Sequence, residues 1–278
     1  DSEREYKEAE EIACKAWEDA TESFVNKKND NQYTVFNSAP WKRNDYIKIP
    51  VSETGENGRW EKNNGKELKA EKIDNNWLVK VENIPSLGFS DISFIPENNK
   101  LKTDNPFTVE DNILNTPYYE IEWNQSGQIL KIYDKDAERE VLSDENGNVF
   151  QIFEDKPMAH DAWDIDIFYQ QNMKEITDLK SVKVKEINSL CAVINFQWEY
   201  MDSTISQDLI VYSDKKRIDY ETEVDWHEQH QLLKVAFPVE IRSTEATFDI
   251  QFGNVTRPTH WNTSWDYARF ETVGHQWA

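Results

Sequence analysis

Two stretches of this chain concentrate side chains that could handle a sugar. Residues 153–169, FEDKPMAHDAWDIDIFY, set Asp155, His160, Asp161, Asp164 and Asp166 among Trp163, Phe168 and Tyr169. Residues 252–271, FGNVTRPTHWNTSWDYARFE, interleave Arg257, His260, Trp261, Asn262, Trp265, Asp266 and Arg269. Carboxylates accept hydrogen bonds from hydroxyls, and an aromatic ring covers the apolar C–H face of a pyranose. Both stretches depart from strand alternation, the second until Ala268, and long irregular segments on β scaffolds often line sites. Each also has a plainer reading. The first is a loop anchored by a buried Trp163 with its aspartates in water, and the second is a loop covering a sheet edge. Loops at one end of a sandwich cluster, so 153–169 and 257–266 are expected to meet. The candidate cleft residues are Asp161, Trp163, Asp164, Arg257, His260, Asn262, Trp265 and Asp266.

Other chemistry is thinly represented. His227-Glu228-Gln229-His230 spaces its imidazoles by three, whereas a zincin needs them four apart on a helix. Polar residues at a strand-end turn are the plainer reading. There is no His-x-Asp pair, no CxxC and no dense ligand set, so neither a metal site nor a catalytic group is assigned within the chain. The 8 glycines form no GxGxxG or GxxxxGK loop, and no GxSxG elbow occurs. Lys plus Arg number 31 against 53 Asp plus Glu, a net charge of -22 that repels phosphate backbones and anionic membrane surfaces. No apolar run approaches the ~20 residues of a bilayer span. The opening DSEREYKEAE has no basic start and no apolar core, so no secretory signal is read and a cytoplasmic setting is expected. Three N-x-S/T triplets, at Asn124, Asn254 and Asn262, are therefore read as chance. Cys14 and Cys191 are read as free, buried thiols. The first residue is Asp and the chain stops at GHQWA, both of which suggest an excised piece.

The elements that must position these groups are mostly strands. Residues 2–25 read as one helix: Tyr6, Ala9, Ala13, Ala16 or Trp17, Ala20 and Phe24 recur at three- and four-residue steps. Ser2 and Glu5 suggest a capping box, and NKKNDN (26–31) ends the helix. Its stripe packs either on its own β domain or on a helical layer outside this chain. From residue 31 the period is two. Ile47, Ile49 and Val51 alternate with Tyr46, Lys48 and Pro50, and Trp77, Val79 and Val81 with Leu78 and Lys80, around turns at 53–58 and 63–65. PENNKLKTDNP (96–106) is the candidate linker. Beyond residue 113, YYEIEW and QILKIYD flank the hairpin turn NQSG, and EREVL (138–142) and NVFQIF (148–153) flank SDENG. Long strands then follow in quick succession to ATFDIQF. The pattern argues a mainly β chain with a large antiparallel β-sandwich. The expected domains are 1–30, a helix; 31–106, a small β domain; and 107–278, the sandwich.

Several long strings carry a family resemblance: DKPMAHDAWDIDIFY (155–169), RIDYETEVDWHEQHQLLKVAFPVEI (217–241), ATFDIQFGNVTRPTHWNTSWDYARFE (246–271) and HQWA (275–278). Together they resemble the C-terminal β region of the glycoside hydrolase family 38 α-mannosidases, in the bacterial and cytosolic branch. The opening helix and VFNSAPWKRNDYIKIP (35–50) resemble the helical segment and first β domain of the same enzymes, so the resemblance covers essentially the whole chain. It implies a galactose-mutarotase-like β-supersandwich. It implies a zinc-dependent retaining parent that hydrolyses terminal α-mannosyl residues of glycans. In that family the nucleophile Asp, a His-x-Asp pair, a further Asp and an FHD-type His lie in segments before the opening helix, and none of those motifs occurs here. The implied role of this chain is therefore supporting: packing on its own N-terminal catalytic domain, with DAWD (161–164) and RPTHWNTSWD (257–266) at the rim of the mannoside cleft. Dimers or tetramers are implied too. The other readings are a free carbohydrate-binding module using the 11 Trp as platforms, and a mutarotase- or lyase-like enzyme with His160, His227, His230 or His260 as acid/base.

Overall fold

A computed structural model describes residues 2–22, 31–97, 105–161 and 163–278. The chain divides into two compact units, 1–105 with 188–190, and 106–187 with 191–278. Most of the linker proposed at 96–106, and the helix stop at 26–30, lie outside the described residues.

The first unit opens with helix α1 (Ser2–Glu22), which has no buried residue. Ser2 is its first residue, and Asp1, the position before it, is outside the described residues. Trp17 meets Phe36 edge-on with ring centroids 6.1 Å apart. The strands are β1 (Gln32–Asn37), β2 (Arg43–Pro50), β3 (Gly58–Lys62), β4 (Glu67–Leu68), β5 (Ala70–Ile73), β6 (Asn76–Ile84) and β7 (Gly88–Pro96), with a short helix α2 (Val51–Thr54) after β2. They form two antiparallel sheets, ordered β1-β7-β3-β4 and β2-β6-β5. The alternation expected of β2 and β6 is present: Ile49, Trp77, Val79 and Val81 are buried and join Trp60, Ile92 and Phe94 in one core. Leu78 is buried as well, so the central strand β6 is covered on both faces.

The second unit is built from meanders. Strands β8 (Thr108–Glu110), β9 (Ile113–Asn115), β10 (Tyr119–Trp123), β11 (Ile129–Asp134) and β12 (Arg139–Glu140) pair consecutively. The NQSG turn joins β10 to β11, with Gly127 at φ 77. A Cβ there would sit 2.6 Å from the Trp198 ring, so only glycine fits this turn. Strands β15 (Leu179–Ile187), β16 (Cys191–Tyr200), β17 (Ser203–Tyr212) and β18 (Ile218–Asp225) form a second meander. A third sheet, β14-β13-β19, joins β13 (Val149–Glu154), β14 (Met173–Glu175) and β19 (Gln231–Ala236). Trp123, Phe150, Phe196 and Trp198 meet at the centre of the core, with Trp198 stacked on Phe196 at 5.6 Å and donating from Nε1 to the Ser126 carbonyl at 2.7 Å. The fold is mainly β, and every described strand pairing is antiparallel.

Three details differ from the sequence reading. The strand read at EREVL (138–142) is reduced to β12 at Arg139–Glu140, which returns to Tyr133 and Asp134, while Gly147 bridges Ile129 and β13 runs beside β19. Residues 252–258 are not irregular, because β21 (Gly253–Pro258) forms a hairpin with β20 (Glu245–Ile250) around Phe252 at φ 61. Cys14 is exposed and only Cys191 is buried, and neither forms a disulfide. At the edge of its sheet, β19 leads into a run in which Val235, Phe237, Val239 and Ile241 are exposed at alternate positions.

Candidate functional site

The first segment leaves β13 and returns to β14 through a 3₁₀ turn at Ile167–Gln171. Its entrance is held by the Asp155 amide, which donates to the His230 carbonyl at 2.9 Å. Asp166 closes the loop on itself by accepting from the Met158 amide at 2.8 Å. His160, at φ 58, receives the Trp163 and Asp164 amides on its carbonyl at 2.7 and 3.0 Å. A left-handed histidine is uncommon and here makes the tight turn of the loop tip. Trp163 is 90% exposed, so it is not the buried anchor of the plainer reading. Tyr169 takes that place, buried against Phe153 with ring centroids 5.0 Å apart. Asp161 and Asp164 are exposed, and the Asp161 carboxylate lies 3.6 Å from His230 Nδ1, close enough to pair when the imidazole is protonated.

The second segment follows the β20–β21 hairpin. Arg257 is half-buried on β21, and Thr259 Oγ1 donates to the Ser243 carbonyl at 2.6 Å. Helix α3 (Ser264–Ala268) is set by a capping box: Thr263 Oγ1 accepts from the Asp266 amide at 3.2 Å, and Asp266 accepts from the Thr263 amide at 3.1 Å. The Thr263 hydroxyl holds the Asp266 carboxyl below the usual range against the opposing effect of desolvation, aided by the Thr263 amide and by nearby His260 and Arg269. His260 Nδ1 is 3.9 Å from that carboxylate. Trp261 packs edge-on against Tyr267 at 5.7 Å, and both are exposed, as are Asn262 and Trp265.

The two segments touch at their C-terminal ends. The Tyr169 ring lies 6.2 Å from that of Phe270, and its hydroxyl donates to Glu271. Among the described residues, no hydrogen bond, ion pair or ring contact joins Asp161, Trp163 or Asp164 to Arg257, His260, Asn262, Trp265 or Asp266. Beside the first segment a groove of about 430 Å³ is lined by Glu154, Lys156, Asn172, Lys174, Tyr200 and His230. Lys156 and then Asn172 hold the Glu154 carboxyl below its usual range by hydrogen bonding. Tyr200 also stacks on Trp226 at 6.1 Å. His227 and His230 lie in the loop between β18 and β19, with His227 Nε2 3.0 Å from Asp225. Among the described residues no three His, Cys, Asp or Glu converge to hold a metal. The histidine–carboxylate contacts are isolated pairs, too few for the four ligands of a zinc site. No described helix is long and apolar enough to cross a membrane.

The sequence reading passed over Tyr200, Trp226, Lys234 and Glu271. Lys234 had a signal: it is the single charge inside the apolar run LLKVAF.

Residues 114–278 match the family described as glycosyl hydrolases family 38 C-terminal domain. Alpha-mannosidase G of Dictyostelium discoideum is 32% identical over 275 residues, which cover 90% of this chain and 24% of that protein. Human Alpha-mannosidase 2C1 is 28% identical over 87% of this chain and 22% of its own length. The Alpha-mannosidase of Saccharomyces cerevisiae is 37% identical over 55% and 16%. The chain thus spans about a quarter or less of these relatives. The crystal structure of an alpha-mannosidase from Enterococcus faecalis V583 superposes with a TM-score of 0.63 at 11% identity, over 85% of this chain and 34% of that one, a likeness of fold.

Proposed function

This chain belongs to glycosyl hydrolase family 38 through that family's C-terminal domain, and from this premise we propose that it is the non-catalytic β portion of a zinc-dependent retaining α-mannosidase. The parent's reaction is hydrolysis of terminal α-mannosyl residues from glycans. The observation that carries the reading is the family match across 114–278, supported by relatives whose names are all alpha-mannosidases. Retaining hydrolysis needs two carboxyl groups about 5–5.5 Å apart across the scissile bond. The aspartates of 153–169 are not placed in that role. Nor do the described residues of this chain fit zinc, so on this reading the metal and the nucleophile belong to a catalytic domain that partners it.

What this chain contributes is a rim. Asp161 and Asp164 accept sugar hydroxyls, with His230 orienting the Asp161 carboxylate. Trp163 and Trp265 offer exposed ring faces to the C–H side of the mannoside, and Arg257, His260 and Asn262 supply donors. Asp266 acts from behind, by fixing α3 through its cap. A cytoplasmic setting and assembly into dimers or tetramers belong to the same proposal. The test is direct. The chain alone should neither turn over an aryl α-mannoside nor hold stoichiometric zinc, whereas the same chain joined to the family's catalytic domain should do both. Turnover by the isolated chain would overturn the reading.

A further inference from the structure

We propose that Lys234 is a positioning residue: with Tyr169 and Glu271 it clasps the two candidate rim segments to β19 and sets how they face the sugar, a role that rests on the α-mannosidase reading above. Lys234 Nζ donates to Glu271 Oε1 at 2.6 Å and to the Tyr169 hydroxyl at 2.7 Å, and the Tyr169 hydroxyl in turn donates to Glu271. The triad is thus a closed and oriented set: an ammonium, a phenol that both accepts and donates, and a carboxylate that takes both protons. The ammonium also lies 4.8 Å from the Tyr169 ring centroid and 5.8 Å from that of Phe153. Charge-assisted bonds of this kind, partly shielded from water, are stronger than neutral ones.

The place of the clasp in the chain gives it its meaning. Tyr169 follows Asp166 by one turn, its amide donating to the Asp166 carbonyl at 3.0 Å. Glu271 follows the α3 cap, where the Arg269 amide donates to the Asp266 carbonyl at 3.0 Å. Tyr169 and Glu271, 102 positions apart and each the last residue of its segment, are therefore tied to one point on β19. The segments themselves share no described contact nearer their tips, so this point fixes their relative placement. Burial alone would lower the Lys234 pKa, and the bonds from Glu271 and Tyr169 outweigh it, so the ammonium stays charged.

The experiment compares Lys234→Met, Lys234→Arg and Glu271→Gln in the full-length enzyme. Lys234→Met and Glu271→Gln should each lower kcat/KM toward an aryl α-mannoside roughly tenfold, mainly through KM, as expected when placement of a binding surface is lost. Lys234→Arg, which keeps the charge and two donors, should restore most of the loss. Hydrogen exchange should quicken in both 157–170 and 259–272 in Lys234→Met, while β16 and β17 keep their protection. Unchanged kcat/KM in an active enzyme, failure of arginine to rescue, or exchange that quickens in one segment alone would each overturn the proposal. If the wild-type enzyme does not act on α-mannosides, the functional reading fails by itself, and the paired exchange response alone then decides the clasp.

Discussion

Trp163 and Trp198 carry the same indole to opposite ends. Trp198 is 2% exposed, stacked on Phe196, edge-on to Phe150, and hydrogen-bonded to Ser126. Trp198→Ala should cost about 3–5 kcal/mol in denaturant unfolding, the range for deleting a buried aromatic. Trp163→Ala should change stability by no more than about 0.5 kcal/mol, because an exposed ring has little packing to lose. In the parent enzyme the same substitution should weaken mannoside binding, read as a rise in KM. Sequence reasoning located Trp163 among aspartates but could not say which way the ring points. Orientation depended on Tyr169 filling the anchor position, and both rings sit in the same short irregular stretch. The clasp was harder still to see, since Tyr169, Lys234 and Glu271 come together only through the pairing of β13 with β19.

Single elements show where local pattern decides and where the core overrides it. The NQSG hairpin was legible because its turn chemistry and both strands are contiguous. Gly127→Ala should be destabilising by about 1–3 kcal/mol, as for other overpacked sites, since the new methyl would meet the Trp198 ring as well as a left-handed backbone. Equal melting temperatures for the variant and the wild type would refute that account. That EREVL and NVFQIF do not pair across SDENG has a physical cause. Asn148 adopts φ 54 and Gly147 bridges Ile129, so the chain turns away, and β13 finds its partner in a strand far along the sequence. Hairpin β20–β21 was missed because Val255 is the lone strongly apolar residue of GNVTRP, which left no alternation to read. Helix α1 was plain from its period, yet the structure buries none of it. Helices draw most of their stability from packing, so amides of 2–22 should exchange far faster than those of β16 and β17. Comparable protection would show that the helix docks more firmly than the Trp17–Phe36 contact indicates.

At the scale of the whole molecule, charge dominates. Hydrogen bonds from Lys80 and Lys66 lower the pKa of Glu82, one from Lys131 lowers that of Glu120, and one from Lys216 lowers that of Asp134. A carboxylate whose folded pKa lies below its unfolded value adds stability that is complete above the unfolded value, near 4, and is lost as pH falls through the folded one. Melting temperature should accordingly fall steeply below about pH 4. At neutral pH the charge of -22 repels itself, so added salt, screening within ~8–10 Å, should raise the melting temperature rather than lower it. The same repulsion has a second duty at the β19 edge, where Val235, Phe237, Val239 and Ile241 are exposed at alternate positions. Like-charged particles stay dispersed, and this chain is such a colloid: bringing it toward its isoelectric point near 4.6 removes the barrier and leaves the sticky rail bare. Turbidity should peak there and clear on return to neutral pH, which makes acidity, more than heat, the condition that sets how this protein can be stored and concentrated.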